Sequence, residues 1–190
     1  SLIVRVRDRD ELFKEACRIA VEAGGFRMAW LGMVDRETKN LKPIAWHGTG
    51  ADYIQTMPLR IGDYGHPGHG VSGMVVAQRR AITVDDMTQD PRILLKKEAQ
   101  ERGFHSLAIL PLMVAEQAVG VLALYAGEVG FFDEEEMKLL NELASDVSFA
   151  LEGFDRERAR RKAKARANEL LSIVNRSPAV FIKWNTSDEQ

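Results

Sequence analysis

The chain has 190 residues, of which 45% are hydrophobic and 28% are charged, and its formal net charge is -2. This composition predicts a globular domain with a substantial core, and the charge balance gives no general reason to expect binding to nucleic acid or to a membrane surface. No apolar run reaches the roughly 18 residues of a membrane-spanning helix. The single cysteine, Cys17, cannot form an internal disulfide, which favours a reducing, cytoplasmic compartment. The start at Ser1 and a pattern that stops partway predict a piece of a longer protein.

The first third of the chain predicts a helix followed by two strands. Apolar residues at three- and four-residue spacing between Leu12 and Ala23 give the helix one buried face, and Gly24-Gly25 ends it. Pro43 has no N–H to donate, so the second strand belongs at a sheet edge. The predicted elements are a helix over 1–23, strands over 26–34 and 41–46, and an irregular, glycine-rich wrapping segment over 47–69. The helix could break at Arg7-Asp8, where the acid at position 8 or 10 could cap it.

The middle of the chain predicts a β-hairpin with both faces buried. Each of its strands is apolar at odd and even positions, whereas a strand with one solvent-facing side would alternate. The connection is placed at 115–117, where Gln117 takes a turn position that glycine usually fills. The predicted elements here are a short helix over 70–78, a strand over 81–84, a helix over 92–102, and hairpin strands over 104–114 and 118–125.

A long helix follows from Asp133, which forms a capping box with Glu136. Two apolar stripes run along this helix, and the first has the alternating three- and four-residue steps of a heptad pattern. We expect one stripe to pack on the sheet and the other on another helix. The first stripe is Met137, Leu140, Ala144, Val147, Leu151 and Phe154, and the second is Leu139, Leu143 and Ala150. The residues expected to form the dimer and signalling contacts are Leu140, Val147, Leu151 and Phe154.

A dense basic run with interleaved alanines occupies 156–166, and its residues favour a helix. Such a run could contact nucleic acid or an anionic membrane, but it has no aromatic residues to stack on bases, and a solvated connector helix needs no ligand. We therefore expect no nucleic-acid partner and no membrane insertion. Further on, Ser177-Pro178 and the apolar residues 179–182 predict a turn and a strand.

Six short strings stand in a characteristic order along the chain. They are 16–30, Gly70-Val71-Ser72-Gly73, Asp86-Met87 through Asp90-Pro91, Gly103-Phe104-His105-Ser106, Leu110-Pro111-Leu112 with Gly120-Val121-Leu122, and Phe132-Asp133-Glu134-Glu135. Together they resemble the GAF domains of bacterial and archaeal signalling proteins, over about 8–154. The segment 169–184 resembles the opening of a PAS domain.

The resemblance implies an α/β (α+β) fold with a central antiparallel sheet. The N- and C-terminal helices would pack on one face, and a lid of loops and short helices would cover the other. It implies a GAF-like sensor domain over 1–153, a charged connector helix over 154–174, and the truncated start of a PAS-like domain over 175–190. Proteins of this family most often feed a histidine kinase, a cyclic-di-GMP enzyme or another output module.

In the family a small ligand, where there is one, lies between the sheet and the lid. Aromatic and methionine side chains with a few polar groups suit such a pocket, although the same residues could fill the core of a domain that has no ligand. The candidate ligand-binding residues are Trp46, His47, Tyr53, Met57, Met74, Met87 and His105. The ligand or cofactor itself is unknown from the sequence.

Three subsets of the family have signatures that this chain lacks. The cyclic-nucleotide-binding arrangement of Asn-Lys, Phe and Asp-Glu is missing, and the bilin-binding subset needs a cysteine near the pocket, whereas Cys17 lies in the first predicted helix. The subset that reduces free methionine sulfoxide uses several pocket cysteines, and this chain has one.

Catalytic and metal-binding interpretations are weak. His66 and His69 stand three residues apart, but no further ligand pair accompanies them, so a plain turn is favoured and no metal site is expected. Asp85, Asp86 and Asp90 are better suited to turning the chain and capping a helix than to acid–base chemistry. No activated nucleophile or phosphate-binding loop is present.

The sequence therefore predicts a regulatory sensor module in signal transduction, without catalysis of its own. It would bind a small ligand and relay the signal through its C-terminal helix, and it would form a homodimer through its terminal helices. A ligand-free structural dimerisation module is the alternative from another class, and a small-molecule enzyme is a more remote one.

Overall fold

A five-stranded antiparallel sheet forms the centre of the structure, a computed structural model that describes residues 8–61 and 70–176. The strands are β1 (Met28–Asp35), β2 (Asn40–Gly48), β3 (Ile82–Val84), β4 (Ser106–Val114) and β5 (Gln117–Ala126), and their order across the sheet is β2-β1-β5-β4-β3. The helices are α1 (Arg9–Gly24), α2 (Ala51–Thr56), α3 (Gly70–Gln78), α4 (Lys96–Glu101) and α5 (Glu134–Arg176). The predicted fold class is confirmed.

The hairpin of β4 and β5 is buried on both faces, as its sequence predicts. Its turn differs from the prediction, because Val114 pairs with Gln117 and only Ala115 and Glu116 connect the strands. Both turn residues have positive φ angles, 48° and 61°, which is the geometry of a type I′ hairpin turn. Gln117 is therefore the first residue of β5, and the conformation that glycine normally supplies is adopted by an alanine and a glutamate.

One face of the sheet, which we call the lid face, is covered by α2, α3 and the loops around them. Side chains two residues apart on a strand share a face, so Met28 and Trp30 of β1 lie on this side together with Leu107 and Ile109 of β4. They pack in one hydrophobic cluster with residues of the lid, among them Tyr53, Val71, Val75, Met87 and Ile93.

The opposite face, the helix face, carries α1 and the first part of α5. The buried residues of these helices do not belong to the lid-face cluster. The thiol of Cys17 in α1 lies 3.8 Å from the carbonyl oxygen of Ala45 in β2. In α5, the hydroxyl of Ser148 accepts a 2.9 Å hydrogen bond from the N–H of Met113 in β4. Each terminal helix is thus attached to a different strand of the sheet.

Caps fix the ends of the terminal helices. The side chain of Asp8 accepts from the N–H of Glu11 at 2.8 Å, so α1 begins at Arg9, at the break that the sequence allows at Arg7-Asp8. Gly25, at a φ of 72°, ends it. The side chain of Asp133 accepts from the N–H of Glu136 at 2.8 Å and starts α5 where the capping pattern predicts.

Two lid segments differ from their predictions. The segment predicted to be irregular contains the single-turn helix α2, which buries Tyr53 and Ile54 after Gly50 turns the chain at a φ of 88°. The helix predicted over 92–102 is confined to α4, because the side chain of Asp90 accepts from the N–H of Arg92 and holds the preceding residues in a turn. The predicted edge position of Pro43 is correct, since β2 is an outer strand.

Several predictions fall outside the described residues. These are the helical reading of 1–7, the segment 62–69, and the turn, strand and PAS-like start at 177–190. Within the described ranges no helix is both long and apolar enough to cross a bilayer. Contacts divide the chain between Glu152 and Gly153 into two units, so α5 contributes its first nineteen residues to one unit and the rest to the other.

Ser148→Ala tests the link between α5 and the sheet. The β4–β5 ladder shifts register between Leu112 and Met113, and Ser148 supplies the partner for the Met113 N–H there. Its loss leaves a partly buried donor without an acceptor, and we expect the free energy of unfolding to fall by about 1–2 kcal/mol in urea titrations. Ser145→Ala, on the exposed side of the same helix, is the matched control and should change stability by less than about 0.5 kcal/mol. Equal effects of the two substitutions would contradict this role for Ser148.

Candidate functional site

A small cavity lies between the lid face of the sheet and the lid. Leu107, Ile109 and Tyr125 form its floor, and their positions follow from the two-residue period of β4 and β5. Tyr53 of α2 and the first residues of α3 form part of its wall. The remaining lining residues are Met57, Pro58, Leu59, Met87, Arg92, Ile93, Leu94 and Leu95.

The size of the cavity limits what it can hold. Its volume is about 50 Å³, whereas a buried water needs roughly 10–15 Å³ of such space and pockets for drug-sized ligands span about 300–1,000 Å³. In this conformation the cavity suits water molecules or a ligand of a few heavy atoms. A larger ligand requires movement of the wall.

The aromatic residues that line the cavity provide two neutral polar groups, the hydroxyls of Tyr53 and Tyr125. Tyr125 accepts a long hydrogen bond, 3.4 Å, from Nε1 of Trp30 and donates to the sulfur of Met57 at 3.4 Å. Tyr53 is 3% exposed, and its hydroxyl has no hydrogen-bond partner among the residues that the structure describes. Burial raises the pKa of Tyr53 to about 12 and raises the pKa of Tyr125 as well. Both groups therefore stay neutral near pH 7 and can exchange hydrogen bonds with a ligand.

Arg92 brings a cation to the cavity wall, but its charge is balanced. Its Nε lies 2.9 and 3.1 Å from the two carboxylate oxygens of Asp90, and Nη2 donates to the carbonyl oxygen of Thr83 at 3.1 Å. Hydrogen bonding between the two side chains raises the pKa of Arg92 and lowers the pKa of Asp90. This pair holds the loop before α4 against β3, so the wall has a defined position.

The structure brings three of the predicted pocket residues, Tyr53, Met57 and Met87, to the cavity. Met74 packs against the same core without lining the cavity. His105 also lies outside the lining, and its backbone accepts from the N–H of Met87 at 2.8 Å just before β4 begins.

The other two predicted residues, Trp46 and His47, are neighbours in β2 and therefore point to opposite faces of the sheet. Nε2 of His47 lies 3.5 Å from Oε1 of Glu22 in α1, so His47 is on the helix face and away from the cavity. Trp46 lies on the lid face, but 49% of it is exposed. It lines an open groove of about 430 Å³ at the sheet edge together with Pro43, Ala51, Ile54, Gln55, Met57 and Leu59.

Tyr125 and Arg92 are lining residues that sequence reasoning did not single out. Tyr125 stands in a strand whose sequence predicts an entirely apolar core. After Gln117 its hydroxyl is the only polar side-chain group of this strand, and that feature could have identified it as a pocket residue. Arg92 was predicted to lie in a helix. In the structure it follows a turn at Asp90 and lines the cavity, and the Asp-Pro sequence is the local sign of that turn.

The residues predicted for dimer contacts are mostly used inside the domain. Leu140, Val147 and Leu151 are 5%, 1% and 2% exposed within a single chain, and Phe154 is half-buried. In this conformation the first stripe of α5 offers little surface to a second copy. Among the described residues no three His, Cys, Asp or Glu side chains are grouped to hold a metal ion, and His66 and His69 lie outside those residues.

Comparison with known proteins identifies the family. The model described as GAF domain matches residues 6–152. Over 120 residues the chain is 28% identical to the HTH-type transcriptional activator RamA of Corynebacterium glutamicum, a stretch that covers 62% of this chain and 40% of that protein. The chain thus matches less than half the length of this curated relative.

Three solved structures illustrate the shared fold at identities of 16–20%. The GAF domain from a phosphoenolpyruvate-protein phosphotransferase of Coxiella burnetii has a TM-score of 0.69 and 18% identity, over 83% of this chain and 90% of that chain. The free methionine-R-sulfoxide reductase from Neisseria meningitidis, in complex with its substrate, has a TM-score of 0.67 and 20% identity, over 82% and 85%. A domain of a protein described as a two-component sensor histidine kinase from Sinorhizobium meliloti has a TM-score of 0.61 and 16% identity, over 82% and 99%. Since the family model matches well over half of the sequence, this chain belongs to the GAF domain family.

Proposed function

We propose that this GAF domain is a regulatory sensor module that binds a small ligand in the cavity beside Tyr53, Met87 and Tyr125. The observation that carries the proposal is the Tyr53 hydroxyl, which is buried at the cavity wall without a partner among the described residues. Leaving a buried hydroxyl unbonded costs about 1–3 kcal/mol. A ligand that bonds to this group recovers that cost, whereas a core that serves packing alone has no need of the hydroxyl.

The lining defines the chemical character of the ligand. The floor and most of the wall are apolar, the tyrosine hydroxyls are neutral, and Arg92 is balanced by Asp90. This combination favours a small, predominantly apolar molecule with one or two hydrogen-bonding groups. Displacement of the residues around Ile93 would admit a larger one.

Strand β4 offers a direct route from the cavity to α5. Leu107 and Ile109 contact the cavity, and a few residues later the N–H of Met113 bonds to Ser148 of α5. A ligand that moves β4 therefore changes the position of α5, provided that it binds the two positions of the helix with different affinity. We propose that α5 relays the signal to downstream domains by this route.

The proposal extends to the setting of the domain. It places the domain in a cytoplasmic multidomain signalling protein, as a homodimer joined through its terminal helices, with a PAS domain downstream. Support comes from the sensor-kinase description of one structural neighbour and from the transcriptional activator that this chain matches over 40% of its length. Exposed apolar residues on α5 support the homodimer.

A second candidate is suggested by the neighbours that are methionine-R-sulfoxide reductases. The position of Cys17 argues against this activity, because the only cysteine in the sequence is fully buried on the helix face, away from the cavity. Burial also raises its pKa to about 12, which leaves very little of the reactive thiolate at neutral pH. We therefore propose sensing without catalysis.

A thermal-shift screen of metabolites, nucleotides and metal salts tests ligand binding. We expect one compound class to raise the Tm of the 190-residue chain, because a ligand at 100 times its Kd stabilises the folded state by about 2.7 kcal/mol. Val71→Leu adds a methylene to the cavity wall and should reduce that shift, while Val129→Leu, at an exposed position, should leave it unchanged. A screen without any shift would favour the ligand-free structural module.

Tyr53→Phe separates binding from stability. Removing an unpartnered buried hydroxyl should raise the free energy of unfolding by about 1 kcal/mol, measured in urea, while the ligand-induced Tm shift decreases. Tyr125→Phe is the matched control, since it loses two weak hydrogen bonds and should not gain stability. A loss of more than about 1 kcal/mol in Tyr53→Phe would show that the hydroxyl is bonded in the free protein.

Thiol reactivity tests the reductase alternative. With its pKa raised to about 12, Cys17 should react with a disulfide reagent at pH 8 at least about 100-fold more slowly in the native protein than in urea. Free methionine-R-sulfoxide should not be reduced, and Cys17→Ala should leave that result unchanged. Turnover that disappears in Cys17→Ala would establish the enzyme instead.

A further inference from the structure

A stripe of exposed residues runs along α5, and its part within the first nineteen residues of the helix lies on the side away from the sheet. In the first part of the helix it consists of Glu135, Leu139, Glu142, Asp146 and Phe149, which follow one another in steps of four, three, four and three. Leu139 is 58% exposed and Phe149 is 62% exposed. The spacing is that of a helix–helix contact, and it differs from the stripe that packs on the sheet.

The same stripe continues with unbroken spacing to the end of the helix. Its further members are Gly153, Arg156, Arg160, Ala163, Ala167, Leu170 and Val174, and all of them are exposed. Leu170 and Val174 are 59% and 47% exposed. Apolar residues thus stand near both ends of the stripe, and charged and small residues lie between them.

Charge is divided sharply between the two parts of α5. Residues 134–155 contain seven acidic side chains and one lysine, for a net charge of -6. Residues 156–176 contain eight basic side chains and two glutamates, for a net charge of +6. The two parts are therefore complementary to each other, and neither is complementary to itself.

We propose that two copies of the chain pair through this stripe with their α5 helices antiparallel. A parallel pair would set Glu142, Asp146 and Arg160 against their own copies, at helix separations of about 8–10 Å that ordinary salt does not fully screen. An antiparallel pair sets the acidic part of each helix against the basic part of the other. The inference rests on the proposed homodimer and adds its orientation and its contact face.

The order of residues in the stripe also fits the antiparallel arrangement. When the two helices cross near residues 154 and 155, Leu139 faces the partner's Leu170, and Phe149 faces the partner's Arg160. The first contact is apolar, and the second places a guanidinium beside an aromatic ring. Ala163 and Ala167 face the acidic residues Asp146 and Glu142 of the other copy, which leaves room for neighbouring lysines and arginines to reach them. The contact repeats by two-fold symmetry.

Charge reversal tests the pairing with the full chain in analytical ultracentrifugation. We expect the dimer Kd to rise at least tenfold between 50 and 500 mM NaCl, and to rise at least tenfold in the double variant Glu142→Lys, Asp146→Lys. Adding Lys162→Glu and Lys164→Glu to that variant should recover part of the lost affinity, because glutamates of one copy then stand beside the introduced lysines of the other. In a parallel pair, association would tighten in salt, and the first double variant would not weaken it, because like charges face each other before and after the change. That result would overturn the proposal.

Spin-label distances test the orientation directly. In a Cys17→Ala background, labels at Arg158→Cys and at Ser172→Cys are fourteen residues apart on the helix. An antiparallel pair makes the distance between the two copies about 40 Å longer at residue 172 than at residue 158, given a rise of 1.5 Å per residue. Equal distances at the two sites would show a parallel pair and overturn the proposal. A chain that stays monomeric at all concentrations would overturn both the antiparallel pairing and the homodimer. The stripe would then be assigned to a contact with another protein or with another part of the chain. The ligand-induced Tm shift tests the sensor function separately.

Discussion

The structure depends on the burial of β4 and β5 on both faces. Because successive side chains of a strand point to opposite sides, these two strands must supply the floor of the lid-side core and the surface on which the helices pack. Leu107 and Ile109 face the lid, while Ala108 and Leu110, which alternate with them along β4, face the other side. A hairpin of this kind is stable only when both coverings are in place, so the lid, α1 and the first nineteen residues of α5 belong to one cooperative unit.

This constraint also explains how a small cavity can be coupled to a long helix. The sheet is one residue thick, and a side chain that touches the cavity is a neighbour of one that supports α5. The register shift after Leu112 leaves the Met113 N–H outside the strand ladder, and Ser148 provides its partner. A displacement in the strand therefore reaches the helix through a hydrogen bond as well as through packing. Tyr125, beneath the cavity, lies on the neighbouring strand of the same hairpin.

Particular residues show where sequence reasoning was sufficient. The pair Asp133 and Glu136 correctly predicted the start of α5, and the apolar runs of the hairpin correctly predicted its burial on both faces. Both predictions succeeded because capping and periodicity are local properties of the sequence. The prediction of a helix over 92–102 was wrong in its first residues, because the hydrogen bond from the N–H of Arg92 to the side chain of Asp90 forms a turn there instead. Of the seven candidate pocket residues, Tyr53, Met57 and Met87 reach the cavity; Trp46 and His47 were both assigned to it although adjacent residues of a strand cannot share a face.

The sequence by itself determined the buried hairpin and the division of α5 into an acidic and a basic part, since spacing and composition carry these directly. The class of fold followed from the resemblance of its motifs to GAF domains. The tertiary structure decided which stripe of α5 faces the sheet. Leu140, Val147 and Leu151 are equally suited to a second helix and to a sheet, and only their burial within the domain distinguishes the two. It also decided which polar groups meet at the cavity, because Tyr53, Arg92 and Tyr125 are far apart in the chain and come together only when the lid closes over β4 and β5. Long-range packing selects among local patterns that are compatible with more than one partner.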